Sequence, residues 1–322
     1  MSENVDWKCV SVFVLFAFAV AWATGLVIYL TGGLVDSPKV AGGITLAVVL
    51  LATAYMGAPA LAHILTRLVT REGWKNVYLR PKIKRGWPYW LVMWFAPGIL
   101  VFVGIAVFFL LFPQYFDPSL SVVEHLLTSR GVPSGMVNPW TIVISQTLVA
   151  LALAPVLNSI ATLGEEFGWR AYLLPKLLPL GGRAAVVLTG IVWGVWHWPV
   201  IVMGYEYGFK YAGFPWSGML LFILFTVFFG TLSGWAFIKS GSVWPSVIGH
   251  GAVNGIAGVA VFFVKGTPNP LLGPAAVGII GMIGFAVVAV VLLLLPGALE
   301  PQQETPTSSA TEESRPANAP AA

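Results

Sequence analysis

Apolar residues fall along the chain in runs too long for the helices of a soluble domain. Eight stretches stand out, roughly 10–31, 41–66, 87–112, 140–163, 184–204, 217–238, 242–264 and 272–295. Each is near the ~20 residues that a bilayer-crossing helix needs. Polar residues collect between the runs and do not alternate with apolar ones inside them. The ~10-residue alternating segments of a membrane β-barrel are absent, so the pattern predicts helices, whose backbone groups pair within each span. The expected fold is all-α, a polytopic transmembrane helical bundle of about eight spans over residues 1–299. Residues 300–322 are rich in Pro, Ser, Thr, Ala and Glu. They offer almost nothing to bury and predict a disordered cytoplasmic tail.

Several residues interrupt the runs. The segment 140–178 is too long for one span, and Pro155 within it predicts a kink, because proline removes a helix hydrogen bond. Pro199 predicts a second kink. Residues 113–139 form a loop punctuated by Pro113, Pro118, Pro133 and Pro139, with a short interfacial helix expected near Ser119 to Leu127. Gly194, Gly249, Gly251, Gly255 and Gly258 predict close helix packing in the later spans.

Composition agrees with a membrane protein: 57% of residues are hydrophobic and 9% charged, where soluble domains carry about half and about a quarter. The charges orient the bundle. The loop after the second run holds Arg67, Arg71, Lys75, Arg80, Lys82, Lys84 and Arg85 against Glu72. Such a loop stays cytoplasmic. Alternation then puts both termini, Lys176, Arg183 and Lys239 inside, and Asp117, Glu124 and Glu206 outside, with Lys210 and Lys265 as exceptions. A multi-pass protein of the cell membrane is expected. The basic loop accounts for the net charge of +4 without a nucleic-acid partner. A single cysteine, Cys9, excludes an intrachain disulfide and a cysteine-rich metal site. Lys8 and Ala21-Trp22-Ala23 resemble a cleavable signal, but the apolar run continues through Leu30, so a retained first helix is expected.

Against this background three charges in six residues, Glu165, Glu166 and Arg170, stand inside an apolar region. A charge there costs a few kcal/mol, which points to use. On a helix Glu166 and Arg170 are at i, i+4 with the acid first, the favourable order for an ion pair. Glu165 lies about 100° around the helix, away from that partner. A carboxylate without the ion pair suits a general base, so Glu165 is assigned chemistry and Glu166 with Arg170 the holding of the helix. A purely structural ion pair explains the latter two and leaves Glu165 unexplained. Trp193 lies one turn before His197, where its ring can pack over the imidazole. His250 and Asn254, again at i, i+4, share a face and can donate hydrogen bonds to one point. Distances from Lys176, Lys239 and Arg183 put Glu165, His250 and His197 at one depth, roughly 15–20 Å from the cytoplasmic side at ~1.5 Å per residue. His63 and His125 fall outside this set.

These residues form three motifs in order: Glu165-Glu166-…-Arg170, Trp193-…-His197 and His250-…-Asn254. Together they resemble the EExxxR, FxxxH and HxxxN motifs of the CPBP family of intramembrane proteases (CAAX proteases, also called the Abi family). The resemblance covers roughly residues 140–265. It departs at Trp193, where the family has phenylalanine. It implies hydrolysis of a peptide bond near the cytoplasmic face, in a peptide or protein substrate that is in some members lipid-modified. Glu165 and His197 would activate water, and His250 and Asn254 would stabilise the oxyanion. The family has also been described as zinc-dependent, with Glu165, His197 and His250 as ligands. No HExxH is present and Asn254 beside His250 suits an oxyanion role, so a metal-free site is expected. Two other classes fit buried Glu and His residues: a proton-coupled transporter, against which no paired half-repeats are found, and a non-catalytic immunity or scaffold protein.

Overall fold

The computed structural model describes residues 4–301; the tail expected from the sequence lies outside them from residue 302 on. α1 (Trp7–Leu30) starts at Asp6, whose carboxylate accepts from the Cys9 amide at 3.1 Å, satisfying one of the free donors of a helix start. A small antiparallel hairpin of β1 (Lys39–Ala41) and β2 (Ile44–Thr45) follows. α2 (Leu46–Leu50), a π-helical turn at Leu51–Tyr55 and α3 (Met56–Thr70) run on as one span. Then come α4 (Ile83–Leu111), the short α5 (Ser121–Ser129) and α6 (Pro139–Leu157). α7 (Ser159–Gly168), a π-helical turn at Trp169–Leu173 and α8 (Leu174–Leu177) carry the acidic motif. α9 (Gly182–Trp196) and α10 (Trp198–Val202) precede α11 (Trp216–Ser240). α12 (Trp244–Ile256), extended by a 3₁₀ segment Ala257–Phe263, and α13 (Ile283–Leu294) complete the described chain.

The fold is an all-α polytopic bundle. Among the described residues six helices are long and apolar enough to cross a membrane: Trp7–Leu30, Leu46–Thr70, Ile83–Leu111, Pro139–Leu157, Trp216–Ser240 and Trp244–Phe263. The fifth and eighth expected runs yield shorter helices, α9 of 15 residues and α13 of 12. Prolines explain both. α9 ends three residues before Pro199, and the last run begins as turns around Pro274, which has no amide proton to offer a helix. Pro155 produces a break where a kink was expected. α6 stops two residues after it, Asn158 intervenes, and the Ser159 hydroxyl bonds the Pro155 carbonyl at 2.6 Å.

α11 and α12 form the centre. Of their most apolar stretches 72% and 61% of residues are buried, against 11% for the rim helix α6. Close packing at glycine holds for four of the five expected positions. Gly194 meets α11, Gly249 meets Met93 of α4, and Gly251 and Gly255 meet α6, whereas Gly258 faces nothing within 4 Å. The basic loop sits at the end of the bundle where α11 finishes and α12 begins, tied there by Val243 N–H to the Tyr78 carbonyl at 3.0 Å. Arg67, counted with that loop from the sequence, belongs to α3 and is buried; it donates to the carbonyls of Gly73, Lys75 and Asn76 and so folds the loop over the helix end. The connection 203–215 lies at the far end of the 25-residue α11, about 37 Å away at 1.5 Å per residue.

Candidate active site

The acidic motif is flanked by two glycines for a steric reason. A Cβ at Gly164 would lie 2.6 Å from the Met56 carbonyl oxygen, and one at Gly168 would lie 2.6 Å from that of Pro59. With no side chain at either position, α7 presses its backbone against α3. This contact brings in His63, which the sequence left outside the site. His63 is fully buried, its Nδ1 2.8 Å from the Phe167 carbonyl and its Nε2 2.6 Å from Arg67 Nε. A carbonyl only accepts and Arg Nε only donates, so Nδ1 carries the ring proton and His63 is neutral. It links the folded basic loop to the backbone between Glu166 and Arg170. The signal in the sequence was His63 and Arg67 at i, i+4 on one helix.

Glu166 and Arg170 pair as their spacing predicts, Nη1 to Oε1 at 2.9 Å, both with 0% exposure. Glu166 does more than hold its own helix. The same Oε1 takes His250 Nδ1 at 2.9 Å, and Oε2 takes the Ser233 hydroxyl at 3.4 Å. One carboxylate thus gathers α7, α11, α12 and the π-helical turn. The turn contributes directly: five residues from Trp169 to Leu173 are wound in the wider π form that often marks functional sites, and Arg170 stands on it. Its Nε and Nη2 have no hydrogen-bond partner among the described residues. The guanidinium instead lies over the Trp193 ring, 4.4 Å from the centroid, a cation–π contact that is strong when desolvated. Glu165 escapes Arg170, as read from the sequence, but has a partner of its own: Trp193 Nε1 donates to its Oε2 at 2.7 Å.

The end of α9 sets His197. Pro199 breaks the ladder, so the His197 amide bonds Gly194 in 3₁₀ fashion, and the carbonyls of Trp193 and Trp196 lose their helical partners. His197 Nδ1 takes the first at 2.9 Å; Tyr55 Oη at 2.7 Å and Trp22 Nε1 at 3.2 Å take the second. Because a carbonyl only accepts, Nδ1 of His197 carries a proton, and in the neutral ring Nε2 is the nitrogen with the lone pair. The Trp193 ring stands 6.0 Å from His197 and 5.3 Å from His250.

A cavity of about 50 Å³ adjoins these groups, above the ~10–15 Å³ that one water needs. His250 and Asn254 line it; Glu165 and His197 adjoin Trp193, which lines it as well. Phe222, Phe225 and Phe229 form its apolar side, and Tyr205 and Glu206 close it from the connection at the far end of α11. Glu206, expected as an acid of an exterior loop, therefore faces the same space as His250 and Asn254. It holds a left-handed backbone, φ 66°, unusual for a residue with a side chain. Nothing in its sequence neighbourhood marks it. Among the described residues no group of three or more His, Cys, Asp and Glu side chains converges to hold a metal ion. Glu165 points to Trp193, and it is Glu166 that touches His250.

The three motifs thus meet around one tryptophan, in the order α7, α9, α12, and the second and third of them line one small cavity. Residues 144–256 match the family model described as type II CAAX prenyl endopeptidase Rce1-like. The match begins within α6, ends at the last residue of α12 and contains all six expected site residues. It bears out the family resemblance of the motifs and supports an intramembrane CAAX endopeptidase. No curated protein matches the chain. Outside the matched segment lie α1 to α3, which with the π-helical turn at Leu51–Tyr55 supply Trp22, Tyr55 and His63 to its support.

Proposed function

We propose that the chain is an intramembrane endopeptidase in which Glu165 and His197 activate water. The water oxygen adds to the scissile carbonyl carbon and its proton passes to Glu165, with the free Nε2 of His197 as the second acceptor. The oxyanion takes hydrogen bonds from Asn254 Nδ2 and from His250 Nε2. His250 already gives its Nδ1 proton to Glu166, so it can donate to the oxyanion only when both ring nitrogens carry protons. Each oxyanion donor is worth about 2.7–4 kcal/mol in such sites. The C–N bond then breaks and the leaving amine takes the proton back.

The observation that supports this reading is that Trp193 bonds both Glu165 and His197 and itself lines the cavity that His250 and Asn254 line. The substrate class in keeping with the family match is a CAAX-type C-terminus, with or without a prenyl group. The test is cleavage by purified protein in detergent of quenched-fluorescent CAAX peptides, farnesylated and unmodified. Wild type is compared with Glu165→Ala, each with and without a strong zinc chelator. Cleavage lost in Glu165→Ala and indifferent to chelator is expected. Cleavage lost with chelator and restored by zinc would replace the metal-free mechanism by a zinc-dependent one. Cleavage retained by Glu165→Ala would remove Glu165 from the chemistry.

A further inference from the structure

Trp193 stands where the motif it resembles has phenylalanine, and that exchange has chemical content. The indole ring supplies what a phenyl ring would: it packs against His250, His197 and Phe229 and bears the Arg170 guanidinium on its face. It adds one group that phenyl lacks. That group, Nε1–H, lies 2.7 Å from Glu165 Oε2, with Trp193 2% and Glu165 3% exposed. Among the described residues it is the donor that reaches the Glu165 carboxylate. The same residue's carbonyl fixes the His197 ring through Nδ1. Both members of the base pair are therefore aimed by one residue, through its side chain in one case and its backbone in the other.

We propose that Trp193 is the positioning residue of the catalytic base, its indole N–H fixing the Glu165 carboxylate through one oxygen and leaving the other to take the proton from water. The proposal rests on Glu165 being that base. A carboxylate with three rotatable bonds and no donor samples several rotamers. A single short bond to a rigid, packed ring removes that freedom, and catalytic groups need placement to within a fraction of an ångström. A ring that only packs has no need of the N–H.

The experiment separates the ring from its proton. Trp193 is replaced by phenylalanine and, by genetic code expansion, by 3-benzothienylalanine, which keeps the bicyclic shape with sulfur in place of N–H. The farnesylated CAAX peptide serves as substrate, with Glu165→Gln in parallel. A bond to a charged acceptor predicts a fall in kcat of about ten- to a hundredfold in the benzothienyl protein, with KM and thermal midpoint close to wild type. A second readout needs no substrate. The Trp193 indole N–H resonance, assigned in ¹⁵N-tryptophan protein by its loss in Trp193→Phe, moves upfield in Glu165→Ala. Wild-type kcat in the benzothienyl protein with Glu165→Gln inactive overturns the positioning role alone. Wild-type cleavage by Glu165→Gln overturns the proposed function and this inference with it. An indole resonance that ignores Glu165→Ala overturns the hydrogen bond itself.

Discussion

Replacing Glu166 by glutamine separates the two tasks that the structure gives this carboxylate. The side chain keeps its shape and loses its charge. Arg170 is left as a buried cation with two guanidinium nitrogens already unpartnered. Removing one member of a buried pair costs about 3–5 kcal/mol. The hydrogen bonds give a similar figure independently: two bonds to a charged acceptor, from Arg170 and His250, at about 1.5–3 kcal/mol each sum to about 3–6 kcal/mol. Glu166→Gln should therefore show a clearly lower thermal midpoint in detergent and little cleavage. The double variant Glu166→Gln/Arg170→Met removes the orphan cation with it, and replacing a buried pair by apolar groups is often neutral. Its midpoint should return most of the way to wild type. Its activity should not return, because His250 Nδ1 still lacks the carboxylate that orients the ring. Thermal unfolding and peptide cleavage on the same preparations read the two effects apart. A double variant that regains both would refute the orienting role of Glu166, and an undiminished midpoint in Glu166→Gln would refute the energetics of the buried pair.

Three further outcomes can be measured with the same assays. Gly168→Ala forces a Cβ into the Pro59 backbone; overpacking of this kind costs about 1–3 kcal/mol and displaces the acidic motif, so stability and cleavage should fall together. Glu206→Gln removes the charge from the cavity wall without changing its shape; a substrate contact there raises KM roughly two- to tenfold at constant kcat, and an unchanged KM assigns Glu206 to solvent. Asp117, in the connection before α5, accepts from the hydroxyls and amides of Ser119 and Ser121, which hold its carboxyl below its ordinary 3.8, at about 2. A lowered folded value stabilises the fold above the unfolded value and is lost as pH falls through the folded one. Asp117→Asn should thus lower the thermal midpoint at neutral pH, and the gap to wild type should close between about pH 4 and pH 2; a gap independent of pH would contradict this.

Much of the bundle was legible because membrane spans are written in long apolar runs, and each of the eight predicted runs contains a helix. The lengths of α9 and α13 were less legible, since hydropathy does not register where a proline stops a helix inside an apolar run. Spacing along one helix correctly paired Glu166 with Arg170. Contacts between helices were beyond it: that Glu166 reaches His250 on α12, or that Trp193 donates to Glu165 on α7, depends on which faces the glycines bring together. Gly164 and Gly168 carried that information but named no partner. Glu206 and His63 were missed for different reasons. Glu206 comes to the cavity by a loop in a left-handed turn, whereas His63 was set aside because its depth differs from that of the other histidines, although it acts through the Phe167 carbonyl.

The carbonyl left open at Trp196 has a consequence for how this protein can be divided. Its two donors come from Tyr55 and Trp22, more than a hundred residues upstream, and His63 reaches the motif helix from the same region. The recognisable segment 144–256 is therefore no self-sufficient module. Cut out and expressed alone, it would keep every motif residue and lose the groups that terminate its second motif helix. Substitutions in the first three helices, remote from any signature, can accordingly behave as active-site lesions, and a survey of natural or engineered variants should weigh them as such.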